Sequence, residues 1–138
     1  MDTSCRSARG GLIGKKYPHG DELTPKDANY WRWDKLAPSG GGIVEVGKYP
    51  ANGYGLYDMA GNVWEWCNDR YDDAYYQYCV DHNIYYEPKG PTNDNDRVTR
   101  GGSWASYVFY LRCAGRINSH LPDDRYLALG FRLVLEIP

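Results

Sequence analysis

The sequence has 138 residues, 42% hydrophobic and 25% charged, with a formal net charge of -2, the balance of one globular domain able to bury a core without metal or disulfide staples. That charge balance, with no basic run longer than Lys15-Lys16, argues against nucleic acid as a partner. No apolar stretch approaches the roughly 20 residues of a membrane span, so membrane insertion is not expected; Met1-Asp2-Thr3-Ser4 lacks the basic and apolar parts of a signal peptide, so display on a cell or virion surface would need a leader or partner outside this chain.

In chain order, residues 1–16 end on Gly10-Gly11 and read as the tail of a helix with its glycine stop. Tyr17-Pro18-His19-Gly20-Asp21 is a turn, residues 25–29 open a short helical turn, and Pro38-Ser39-Gly40-Gly41-Gly42 is a connector. The segment 43–49 alternates as a strand would and is closed by Pro50 and Asn52-Gly53. Val63-Trp64-Glu65-Trp66 predicts a strand with both tryptophans on one side. Residues 69–96, rich in Tyr, Asp, Asn and Pro, read as a surface excursion, and 97–104 and 129–137 as further strands. Cys5, Cys67, Cys79 and Cys113 are too scattered for a disulfide framework or a zinc site and read as apolar thiols, with a local Cys67 to Cys79 bridge as the alternative.

The run Tyr49-Pro-Ala-Asn-Gly-Tyr-Gly-Leu-Tyr-Asp-Met-Ala-Gly-Asn-Val-Trp-Glu-Trp66, then Arg100-Gly-Gly-Ser-Trp104, then Gly130-Phe-Arg-Leu-Val134 resemble, in order, the motifs of the formylglycine-generating-enzyme (sulfatase-modifying-factor) domain. Ala8-Arg9-Gly10-Gly11 and Tyr17 to Asp21 resemble its upstream segment. The resemblance implies a single domain over 1–138 with a C-type lectin fold, α+β, with small antiparallel sheets, few helices and long ordered loops. Family members carry a further N-terminal portion, so the chain resembles a minimal or truncated version.

The enzymes of that family hold copper on a cysteine pair after the Gly-Gly-Ser motif, since a soft thiolate pair selects Cu(I). From Ser103 to Arg112 there is no cysteine, and His19, His82 and His120 fall in unrelated segments, so no redox cofactor and no catalytic residue are expected. A second group on the same scaffold, the variable proteins of diversity-generating retroelements, is matched more closely. Gly101-Gly102-Ser103-Trp104, Arg112-Cys113-Ala114-Gly115-Arg116, Pro122-Asp123-Asp124-Arg125 and Gly130-Phe131-Arg132 resemble its C-terminal cassette, here 101–132. In that group adenines of asparagine-type codons are mutated, which cannot yield Lys, Glu, Gln, Met or Trp. Residues 105–129 contain none of these five types, whereas the composition of the rest of the chain would place about four there.

The resemblance therefore implies a hypervariable ligand-binding protein, receptor-like or adhesin-like, and not an enzyme. Its ligand-binding positions would be Ala105, Ser106, Tyr107, Phe109, Tyr110, Gly115, Ile117, Asn118, Ser119, His120, Asp124, Tyr126, Leu127 and Ala128, large rings among small polar residues, as in an antibody-like paratope. The expected partner is a protein or glycan on another cell or particle. The alternatives are a formylglycine-generating-type oxidase and a non-catalytic structural subunit. Arg112, Arg116, Arg125 and Arg132 read as framework forks that hold loop carbonyls. Asp58, Gly61, Val63 and Glu65 stand where the family resemblance implies a structural Ca²⁺ site of two carboxylates and two main-chain carbonyls.

Overall fold

A computed structural model describes residues 3–33, 42–86, 88, 90–92, 96–116, 119–121 and 123–133. Helix α1 (Thr3–Arg9) stops where the sequence predicts, at Gly10 (φ 57°) and Gly11 (φ 92°). Gly10 is also a point of close approach, because a Cβ there would lie 2.5 Å from the backbone nitrogen of Gly53. Asn52 joins the two segments. Its amide donates to the carbonyls of Ser7 (2.7 Å) and Ala8 (3.1 Å), near the end of the helix, while its carbonyl oxygen accepts from Tyr54 N (3.0 Å) and Leu56 N (3.1 Å).

Strand β1 (Trp64–Arg70) is the axis of a four-stranded sheet. It pairs antiparallel with β2 (Arg97–Arg100), with Glu65 opposite Arg100 and Arg70 opposite Arg97 around a bulge. β2 carries the two-residue β3 (Ser119–His120) on its far side, with Arg97 opposite His120. β4 (Leu129–Gly130) runs parallel to β1, with Trp64 opposite Leu129. The α+β class holds, and the sheet is mixed because the cassette returns to β1 in the parallel sense.

Several element expectations are corrected. Segment 43–49 forms turns and bends, because its groups bond to side chains: Asn62 exchanges bonds with the backbone of Val44 (3.0 and 3.2 Å), and Gly47 N donates to Asp58 Oδ2 (2.7 Å). The excursion holds helix α2 (Tyr75–Asp81), in which only Cys79 is buried, too little apolar period to be read in advance. The strands expected over 97–104 and 129–137 shrink to four and two residues, with 134–138 outside the described residues. The connector at 38–42 lies outside them too, except for Gly42. All four cysteines are free thiols, Cys79 and Cys113 buried, so the Cys67 to Cys79 bridge is not formed.

The core is small. Tyr17, Leu23, Ala28, Tyr30, Ala60 and Leu111 cluster, with Val108 and Tyr110 packed against them. Asn29 is fully buried: its backbone carbonyl accepts from Asn62 N (2.9 Å) and its side-chain amide nitrogen donates to Gly42 O (2.9 Å), so loop-to-loop bonds do part of the work that strands would otherwise do.

Candidate ligand-binding site

β2 leads into Gly101-Gly102-Ser103-Trp104, which is bolted to the scaffold on both sides. Trp104 N donates to Asn62 O (2.9 Å), and Gly61 N donates to Gly101 O (2.8 Å). Ser106 closes the turn: its backbone N donates to Ser103 O (2.9 Å), its Oγ accepts from Ser103 N (3.0 Å) and it lies 3.0 Å from Ser103 Oγ. It is buried, so the expectation that Ser106 lines an exposed face is corrected: its hydroxyl is held by the loop it shapes.

The chain then runs extended through Tyr107 into a 3-10 helix (Val108–Leu111) that divides inside from outside. Leu111 is 0% exposed and belongs to the core, whereas Phe109, two residues earlier, is 50% exposed. Around it the rings form a row. Tyr107 and Phe109 lie nearly parallel (6.1 Å, 15°), Phe109 packs on Tyr110 (4.0 Å), and Tyr110 meets Trp64 of β1 edge-on (6.4 Å, 65°). Ala105 is exposed beside this row, while Tyr107 and Tyr110 are half-buried.

The remaining candidates are spread along the sheet. Tyr126 and Leu127 (82% exposed) project next to Ala128, whose carbonyl accepts from Trp64 N (2.7 Å). Ala128 itself is fully buried, a second correction, because this bond draws it under β1. Asp124 is exposed, but its Oδ2 accepts from Leu121 N (3.0 Å) and closes a local turn. Gly115 is half-buried and closes a turn on Arg112 O (2.8 Å). The backbone of Ser119 and His120 sits on β3, at the Arg97 end of the sheet, roughly 20 Å along β1 from Trp64 at about 3.3 Å per residue. Ile117 and Asn118 lie outside the described residues, as do the side chains of Ser119 and His120. The structure therefore brings together Ala105, Tyr107, Phe109 and Tyr110 at one end.

Two of the four arginines hold framework. Arg132 bonds the carboxylate of Glu65 through Nε (2.6 Å) and Nη2 and reaches the carbonyl of Tyr57 (3.3 Å). Glu65 in turn holds Arg132 above its ordinary pKa. Arg116 lies 5.0 Å over the Tyr76 ring and 3.9 Å from Asp69. Arg112 and Arg125 are exposed. The nominated calcium ligands thus have engaged carboxylates: Glu65 faces the Arg132 guanidinium and Asp58 accepts from Gly47 N. An ion at these four residues, which needs six or more oxygens, would share the Glu65 carboxylate with Arg132 and take the remaining ligands from elsewhere. Among the described residues no group of three or more His, Cys, Asp or Glu is placed to hold a metal.

A separate open groove of about 730 Å³ is lined by Trp66, Cys67, Arg100, Cys113 and Arg132 among others. Burial pushes the Cys113 thiol up to about 11, so it is protonated at neutral pH. Sequence reasoning missed one surface residue, Trp33, which is 83% exposed and stacks on Tyr107 (4.6 Å, 11°). The signal was available: Trp31 and Trp33 are spaced to share one side of an extended segment.

Comparison with known proteins places these features. The model of the sulfatase-modifying factor enzyme 1-like domain matches residues 5–137. The formylglycine-generating enzyme of Mus musculus is 40% identical over 139 residues, covering 91% of this chain and 35% of that protein. The inactive C-alpha-formylglycine-generating enzyme 2 of Bos taurus is 37% identical over 138 residues, covering 91% and 39%. Among solved structures, Treponema denticola variable protein 1 superposes with a TM-score of 0.66 at 33% identity, covering 91% of this chain and 42% of that one. The chain spans about a third of the length of the first of these relatives.

Proposed function

Because this chain belongs to the family of the sulfatase-modifying factor enzyme 1-like domain, we propose that it uses that family's scaffold to present a hypervariable ligand-binding face and that it catalyses no reaction. The observation that carries this reading is the 3-10 helix Val108–Leu111, which fixes Leu111 in the core while holding Phe109 out to solvent beside Tyr107. A turn anchored in this way can exchange its outward side chains at little cost in stability. Rigid rings on an anchored loop also bind at low entropic cost. The likeness to Treponema denticola variable protein 1 supports the same reading. The face consists of Ala105, Tyr107, Phe109 and Tyr110, extended by Tyr126 and Leu127, and its ligand is a protein or glycan on another cell or particle.

The second reading is an enzyme, as the name of the Mus musculus relative says of that protein, here a formylglycine-generating-type oxidase. Its chemistry requires a paired thiolate after the Gly-Gly-Ser motif. Residues 103–112 supply no cysteine, and the thiol that follows, Cys113, is buried and protonated. Incubating the protein and copper with a sulfatase-type cysteine peptide separates the readings. No aldehyde is expected, and its formation would overturn the non-catalytic reading. A library randomised at 105, 107, 109, 110, 126 and 127 should remain folded in most members and yield binders to unrelated proteins. General loss of folding across that library would refute a fixed scaffold beneath a variable face.

A further inference from the structure

Trp33 stands outside the variable segment, yet it is part of the same surface. Its inner face is covered by Tyr107 in a parallel stack, and the neighbouring Trp31 meets Tyr107 edge-on (6.5 Å, 89°). A backbone bond from Trp31 N to Ser106 O (2.9 Å) holds the segment against the loop. The ring is thereby fixed on one side and open on the other.

An aromatic face carries the negative end of the ring quadrupole, and tryptophan is the strongest cation acceptor of the aromatic side chains. The chain carries 18 acidic against 16 basic residues, so no net positive charge opposes a cation's approach. The molecule makes such a contact itself, between Arg116 and the Tyr76 ring.

We infer that Trp33, Tyr107 and Phe109 form one platform, and that its ligand is a protein segment presenting an arginine or lysine side chain to the open face of Trp33. This rests on the variable-face reading and deepens it: Trp33 lies outside the cassette, while Tyr107 and Phe109 can change from one variant to the next, so the seat for the cation is complete only where position 107 carries a ring that stacks on Trp33. A guanidinium lying flat on the ring keeps its in-plane donors free to bond elsewhere in the complex.

The probe is the capped peptide acetyl-Gly-Arg-Gly-amide, titrated while the Trp33 indole resonance is followed by NMR, beside the same peptide with neutral, near-isosteric citrulline. The arginine peptide should shift that resonance saturably and bind about fivefold more tightly than the citrulline peptide. W33F should keep part of the binding and W33A should lose it. Equal binding of the two peptides overturns the inference, as does a shift with methyl β-glucoside and none with the arginine peptide, which would make the platform a glycan site. Both comparisons use the unsubstituted protein and hold even if W33A does not fold. A negative result in a protein whose gene has the adenine-substituted repeat beside it overturns this inference alone. Absence of that repeat counts against the variable-face reading, whatever the peptides do.

Discussion

Two truncations within one 3-10 helix give the sharpest mutational test of a fixed interior carrying a changeable surface. Leu111 is fully buried in the core cluster, so Leu111→Ala removes three carbons from a site with no exposure and should cost about 2–5 kcal/mol. At roughly 4 °C per kcal/mol for a domain of this size, the melting midpoint should fall by about 8–20 °C. Phe109 is half-exposed and its packing is on Tyr107 and Tyr110, so Phe109→Ala forfeits ring contacts worth about 1 kcal/mol and lowers the midpoint by roughly 4 °C. Calorimetry on the two variants, with circular dichroism to confirm folding, measures both shifts. A loss for Phe109→Ala as large as that for Leu111→Ala would refute the division, because the outward ring would then be core.

Gly61 has φ 80°, and a Cβ there would lie 2.3 Å from Asn29 O, so Gly61→Ala should cost about 3 kcal/mol or more, read by denaturant unfolding. Glu65→Gln removes the partner of Arg132 in a pair 34% and 22% exposed, for a loss of about 1–2 kcal/mol, and a chelator should leave the unsubstituted protein's melting midpoint unchanged. A fall of several degrees on chelation would instead place an ion at Asp58, Gly61, Val63 and Glu65. Burial raises the Cys113 thiol from 9.0 to about 11, so its contribution is full below pH 9.0 and is lost as pH rises toward 11. The stability difference between the unsubstituted protein and Cys113→Ala should therefore narrow across that window in denaturant titrations, and a constant difference would count against it.

The helix stop at Gly10 and the alternation over Val63 to Trp66 were legible because each rests on a local rule, a left-handed glycine and a two-residue period. Segment 43–49 has the same alternation without being a strand, since among the described residues no strand pairs with it and the amide of Asn62 and carboxylate of Asp58 take its bonds. Such long-range side-chain bonding leaves no period in the sequence. At the site, the outward ring of Phe109 agrees with the exposure expected of this stretch, whereas Tyr107 and Tyr110 are half-buried and Tyr110 packs against the core, because a single 3-10 turn divides inside from outside without leaving a period in the sequence. Ser106 and Ala128 were misread as surface because a small residue fits either place: a hydroxyl holds one inside and a carbonyl bond to Trp64 the other. For Trp33 the spacing with Trp31 pointed to a shared side, but its partner Tyr107 stands 74 positions away and nothing local names it.

A variable face of this kind requires that the outward residues of the cassette are varied while the turn beneath them is kept. DNA sequencing of the surrounding locus decides whether they are. A second, near-identical copy of codons 101–132 is expected beside a reverse transcriptase gene, differing at adenines and at the codons of Ala105, Tyr107, Phe109, Tyr110, Tyr126 and Leu127. A locus with no such copy, or a copy whose differences fall on the codons of Trp104, Leu111 and Gly130, would contradict it.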